Sequence, residues 1–60
     1  MSNDIKAIRA QTGLSQTAFA KQYGIPLRTL QHWEAKTRIP ADYIIKLLAR
    51  VVNIDYPKEG

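Results

Sequence analysis

Apolar residues recur at helical spacing in successive runs along this sixty-residue chain, and polar or turn-forming residues separate the runs. Ile5 and Ile8 stand one turn apart behind the polar cluster Ser2-Asn3-Asp4, which offers an N-cap and a first-turn carboxylate. This predicts a first helix from about Asp4 to Gln11, stopped by Gly13 with apolar Leu14 after it. Ser15 caps a second helix, about Gln16 to Tyr23, whose inner face carries Phe19, Ala20 and Tyr23. Pro26 lacks a backbone N–H and fits the first turn of a helix, so a third helix is expected from Pro26 to about Ala35. Lys36 to Pro40 reads as a loop, with Ile39 pushed toward extended backbone by the proline after it. A fourth helix follows, about Ala41 to Val52, and its apolar residues cover more than one stripe. Ile44, Leu47, Leu48 and Val51 are expected to face the core, while Ile45 and Val52 extend the stripe toward an edge. Either the stripe is simply broad, or that edge meets a second subunit. The segment from Asn53 to Gly60, with Pro57, carries charge and little apolar content and reads as a frayed tail.

The run from Gln16 to Lys36 holds the most information. Counting Gln16 as its first position, apolar residues fall at the fourth (Phe19), eighth (Tyr23), tenth (Ile25), fifteenth (Leu30) and eighteenth (Trp33). Ala20, at the fifth, lets a second helix cross close by, and Gly24, at the ninth, sits where the chain leaves the first helix with φ > 0. This spacing fits a helix-turn-helix, two helices at roughly 90–120° of which the second can enter a DNA major groove. A helical hairpin that uses the spacing only for packing is the plain alternative. The expected fold is therefore all-α: a small helix-turn-helix bundle of four helices in one domain over residues 1–60, with a core over about 3–53 and a tail over 54–60.

Charge sharpens the reading. Nine basic residues against five acidic give a net charge of +4, which favours polyanions. Arg28, Lys36 and Arg38 fall on or just beyond the third helix. The absence of cysteine excludes a disulfide scaffold and a thiolate metal site, and His32 is the only histidine, so neither a metal nor a cofactor is expected. Ser15, His32 and the aspartates form no recognisable triad and no phosphate-binding glycine loop is present, so the chain does not read as an enzyme. With no leader pattern and no apolar run of membrane-spanning length, it reads as soluble, which suits the cytoplasm.

On the third helix Leu27, Arg28, Gln31 and His32 lie opposite Leu30 and Trp33, and are the candidates for contact with bases. Arg can pair with O6 and N7 of guanine, Gln with N6 and N7 of adenine, and Leu can meet a thymine methyl. Gln16, at the start of the second helix, can offer its amide and free backbone N–H groups to a phosphate. Thr29, Lys36, Thr37 and Arg38 are similarly placed for the DNA backbone. A solvated helix face and a solvated loop are the plain readings of these groups. Against them, an exposed Leu27 beside Arg28 has little reason to be there without a partner. Trp33, at the inward spacing from Leu30, reads as core and not as a stacking platform.

These residues resemble the phage-repressor (Cro/C1, also called Xre) family of regulators and, within it, the HigA-type antitoxins. The matching pieces are Ile5-Lys6-Ala7-Ile8-Arg9, Gly13-Leu14-Ser15-Gln16, Phe19-Ala20, Gly24-Ile25, Arg28-Thr29-Leu30-Gln31, Trp33-Glu34, Pro40 and Lys46-Leu47-Leu48, so the resemblance covers nearly the whole chain. It implies a DNA-binding transcriptional regulator, with Leu27, Arg28 and His32 in the groove and a structural ion pair between Arg9 and Glu34. It also allows a homodimer or a toxin partner, and an antitoxin-like module that binds a protein through the fourth helix is the alternative function. The chain departs from the family's pattern at Pro26, where a capping Ser or Thr is common, and at Lys36, where glycine usually follows the Trp-Glu pair. Many relatives carry a fifth helix, and nothing after Val52 supplies one.

Overall fold

The computed structural model describes residues 4–58. They form four helices: α1 (Ile5–Thr12), α2 (Gln16–Tyr23), α3 (Leu27–Ala35) and α4 (Asp42–Asp55), with no strand among the described residues. The helices pack chiefly as two pairs, α1 on α4 and α2 on α3, with α1 also touching both α2 and α3. Seven buried residues form the core: Ile5 and Ile8 from α1, Phe19 and Ala20 from α2, Leu30 from α3, and Ile45 and Val52 from α4. Leu14, Tyr23, Ile25, Trp33 and Leu48 pack around them, half-buried.

Each boundary has a local cause. Asp4 is the N-cap of α1 and accepts from the Lys6 N–H at 3.1 Å, so the helix starts one residue later than expected. Ser2 and Asn3, also expected in that cap, lie outside the described residues. Ser15 caps α2 by accepting from the Ala18 N–H at 3.1 Å. Pro26 occupies the N-cap of α3 and not its first turn: its φ of −57° and ψ of 133° suit a proline, and its carbonyl accepts from Leu30 N–H at 3.1 Å.

Helices α1, α2 and α3 each stop at a left-handed residue. Gly24 takes φ +68°, and nothing would crowd a Cβ there, so backbone conformation alone calls for glycine. At the end of α3 the same role falls to Lys36, at φ 63°, the one non-glycine residue with positive φ among those described. The N–H of Lys36 reaches the Trp33 carbonyl at 3.2 Å and that of Thr37 the His32 carbonyl at 3.1 Å, the paired bonds of a Schellman cap.

Helix α4 corrects two expectations. Ile45 and Val52 are the inward residues, 9% and 0% exposed, whereas Leu47 is 54% and Tyr43 66% exposed. At about 100° per residue the apolar arc from Tyr43 to Ile45 spans about 200° of the helix surface. Its middle was expected to meet the core, but α1 packs against one edge of the arc and leaves the other facing outward. The helix also runs three residues past Val52, so residues 54 and 55 are not tail. Its end is tied down: Gln11 Nε2 donates to Asn53 Oδ1 at 3.0 Å and to the Tyr56 carbonyl at 2.7 Å, and the Tyr23 hydroxyl donates to Asp55 Oδ2 at 2.8 Å.

The left-handed stops generate a paired expectation. Gly24→Ala lowers stability by about 1–2 kcal/mol, the left-handed penalty of a residue with a Cβ. Lys36→Gly raises it by about 0.5 kcal/mol, because relief of the same strain exceeds the added entropy of glycine in the unfolded chain. Urea unfolding of both variants checks this, and equal shifts in one direction would refute the backbone account.

Candidate nucleic-acid interface

The turn between α2 and α3 is short because Gly24 reverses the chain at once: the Ile25 N–H returns to the Ala20 carbonyl at 2.9 Å, and Pro26 opens α3. Leu30 is fully buried beneath this turn, which fixes the rotation of α3 about its axis. Leu27, Arg28 and Gln31 consequently stand exposed on one face, with His32 and Thr29 half-buried beside them. Lys36, Thr37 and Arg38 continue the exposed surface into the loop.

Two sets of sequence-selected residues are brought into contact. The first joins Arg9, Gln16 and Glu34. Arg9 Nε donates to Glu34 Oε2 at 2.7 Å and Nη2 to Glu34 Oε1 at 3.1 Å, while Nη1 holds the Leu14 carbonyl at 2.8 Å. Gln16 Nε2 donates to Glu34 Oε1 at 3.1 Å. The two charged side chains keep only 20% and 5% of their surface in solvent. Gln16 was expected to spend its amide on a phosphate, and instead its nitrogen already holds a carboxylate. What its position leaves for an anion is the remaining amide proton and the open N–H groups in the first turn of α2.

Burial alone would raise the Glu34 pKa. The hydrogen bonds from Arg9 and Gln16 and the charge of Arg9 outweigh it, so the carboxyl titrates below its ordinary value. The hydrogen bonds to Glu34 also raise Arg9 above the usual guanidinium value. This pair has an electrostatic consequence: from Gln16 to Ala41 the sequence holds four cations, Lys21, Arg28, Lys36 and Arg38, and one carboxylate, Glu34. With Glu34 neutralised by Arg9, the segment presents positive charge only. Arg28, Lys36 and Arg38 form no ion pair among the described residues.

The second set joins His32 and Thr37, expected to meet a base and a phosphate respectively. His32 Nδ1 lies 2.8 Å from Thr37 Oγ1. Sequence reasoning missed this contact, although a signal existed: in a Schellman cap the fourth helical residue from the end meets the second residue past it, and in α3 these are His32 and Thr37. Also missed was the Tyr23 hydroxyl. Burial and its donation to Asp55 push it above the ordinary tyrosine value, so it remains a donor tying α2 to α4.

Among the described residues no cluster of His, Cys, Asp or Glu is placed to hold a metal ion, and no helix is long and apolar enough to cross a membrane. The arrangement suits binding: a capped helix, a glycine turn, and a second helix whose outer face is polar and cationic. These features define a helix-turn-helix, the DNA-binding class of small helical domain. A helix-turn-helix family model of the Cro/C1 type matches residues 5–58, and the chain belongs to that family, whose domain binds DNA and regulates transcription. No curated protein and no solved structure gave a significant match.

The ion pair generates a stability expectation with a pH signature. Glu34→Ala costs about 2–3 kcal/mol near neutral pH, under the ~3–5 kcal/mol of a fully buried pair because Arg9 keeps some solvent contact. A carboxyl whose folded pKa is depressed contributes stability above its unfolded pKa, and that contribution is lost as pH falls through the folded value. The gap between wild type and Glu34→Ala therefore closes from about pH 4.5 downward. Unfolding of wild type, both single variants and the double variant at neutral and acid pH measures this. Purely additive effects of Arg9→Ala and Glu34→Ala would contradict the coupling.

Proposed function

We propose that this chain is a sequence-specific transcriptional repressor that reads the major groove with α3 and acts by covering a promoter. The observation that carries the reading is the outer face of α3: Leu27, Arg28 and Gln31 stand exposed together in a segment whose single carboxylate is neutralised from behind by Arg9. Arg28, Gln31 and His32 offer hydrogen bonds to base edges and Leu27 an apolar contact for a thymine methyl. Gln16, Thr29, Lys36 and Arg38 flank that face where phosphates of the same groove would run, and set register without reading sequence. Occupancy of two half-sites about 34 Å apart, one helical turn, blocks access to the promoter between them.

The dimer such an operator implies uses α4. A groove of about 280 Å³ lies between α4 and the α2–α3 pair, lined by Tyr23, Ile25, Trp33, Ile44, Leu47 and Val51 with Leu48. Tyr43 and Ile54 extend the exposed apolar surface along the helix. The same helix supplies both the wall of the groove and the ridge beside it, so a two-fold contact with a second copy covers both at once. An antitoxin-type module that offers the groove to a toxin is the second reading, favoured by the same apolar surface.

Two measurements test the proposal. Binding to upstream DNA weakens steeply with salt, because each phosphate contact releases counterions. Arg28→Ala then relaxes one position of the motif selected from a random duplex library and costs about 1–3 kcal/mol on the best site, while Lys36→Ala weakens every sequence alike and lowers the salt slope by about one. An unchanged motif for Arg28→Ala, or affinity indifferent to salt, overturns the DNA reading of these residues.

Sedimentation with and without operator DNA tests the dimer. Wild type places two copies on a two-half-site operator cooperatively, and Leu47→Asp, at an exposed position, folds normally and loses the cooperativity. If both bind as independent monomers the groove does not serve a second copy, and the toxin reading takes precedence.

A further inference from the structure

The outward face of α4 repeats in sevens. Ile44, Leu47, Val51 and Ile54 follow one another at intervals of three, four and three residues. At about 100° per residue they fall within roughly 80° of the helix surface. None belongs to the core: Ile45 and Val52 turn inward, while Leu47, Val51 and Ile54 are exposed and Ile44 is half-buried. This is the spacing of the a and d positions of a coiled coil, carried through two heptads. Both a positions, Ile44 and Val51, are β-branched and the central d position is Leu47, the choice that favours two strands in a parallel pair.

The charges beside the seam agree. Arg50 stands at a g position on one flank and Asp55 at an e position on the other. In a parallel, in-register pair each g residue faces the residue five further on in the partner helix, so Arg50 of each copy meets Asp55 of the other, and in the heptad before Tyr43 meets Leu48. Arg50 forms no ion pair among the described residues. Asp55 accepts from the Tyr23 hydroxyl through Oδ2, which leaves Oδ1 for a second donor. An antiparallel pair on the same seam sets the two Arg50 flanks against each other, like charge beside like charge.

We propose that α4 pairs with α4 of a second copy as a parallel, in-register two-stranded coiled coil, with Arg50 and Asp55 as the interhelical charges that set its direction. This rests on the reading of α4 as the dimer helix, and gives that contact its register. A parallel pair keeps both α4 N-termini, and with them the two loops from Lys36 to Pro40, at one end of the dimer, where a single duplex can meet both. An antiparallel pair of these helices would hold the same N-termini about 20 Å apart. Two heptads are short for a coiled coil in isolation, so the pair is weak until an operator holds both copies close.

The chain has no cysteine, so a single introduced thiol reports the register. Ile54→Cys, near one end of the seam, sets the two thiols side by side in the parallel pair, and oxidation, alone and on a two-half-site operator, gives a covalent dimer. In an antiparallel pair centred on the same seam the two thiols lie about 15 Å apart, beyond disulfide reach. Ala49→Cys, exposed and off the seam, stays uncrosslinked. Sedimentation of the protein alone gives a second readout at exposed Arg50: Arg50→Glu raises the dissociation constant of the dimer roughly tenfold, because two attractive pairs become repulsive. The antiparallel pair predicts the opposite sign, since Arg50→Glu relieves its repulsion. A dimer that cross-links no better through Ile54→Cys than through Ala49→Cys, or that Arg50→Glu tightens, overturns the parallel pairing while the dimer reading stands. A wild type that stays monomeric alone and binds the operator as independent monomers overturns the dimer reading and the pairing with it.

Discussion

The hydrogen-bonded pair of Arg9 and Glu34 is the constraint from which the rest of the molecule follows. Seven buried residues form a core too small to fix helix orientations by packing alone, because apolar contact has no direction. The Arg9 guanidinium supplies direction: from α1 it binds the Glu34 carboxylate on α3 with two donors and the Leu14 carbonyl in the α1–α2 turn with a third. Gln16 brings α2 to the same carboxylate. One cluster thus ties three helices and a turn. It also removes the only negative charge from the stretch that carries the cationic face, so the interaction that orients α3 is the one that sets the sign of its surface.

Where local chemistry decides a feature, the sequence reveals it. Gly13, Gly24, Ser15 and the Phe19–Ala20 pair mark helix ends and an inner face through rules that operate over a few residues, and α2 runs over the residues expected of it. The rotation of α4 is another matter. Its apolar arc is wide enough that several orientations bury a stripe, and the choice depends on where α1 lies, which no periodicity within α4 records. The end of α4 was hidden for a similar reason: Asn53, Asp55 and Tyr56 look like tail until Gln11 and Tyr23, more than thirty residues earlier in the chain, provide their partners. Likewise the face of α3 was legible from its spacing, but the commitments of Gln16 and His32 were not. Those depend on which neighbours reach them first.

The end of α3 shows how far a strained residue can serve its neighbours. A lysine in the left-handed region costs about 1–2 kcal/mol against a residue of ordinary conformation, and glycine would remove most of that. What the lysine adds is a cation at the point where the chain leaves α3, beside Arg38 and in no ion pair among the described residues. Local rules broken without a compensating contact in the fold are commonest at functional positions. Lys36 is a residue of that strained kind, and no ion pair among the described residues uses its ammonium group.

Trp33 links this end of the molecule to the groove beside α4. Its inner neighbour on α3 is the buried Leu30, and its ring lines the groove together with Tyr23 and Ile25 from the helix-turn-helix and Leu47, Leu48 and Val51 from α4. No backbone contact joins α4 to α2 or α3, so across this gap the two halves of the molecule communicate through side chains. A side chain inserted there from another molecule would pack on Trp33 and Tyr23 and restrain the unit that presents α3. Binding at the groove and binding at α3 would then stabilise the same arrangement, and linkage requires the effect to run both ways. In a chain of this size, with little core to spare, such mutual support is a route by which occupied DNA and an occupied groove favour one another without any change of fold.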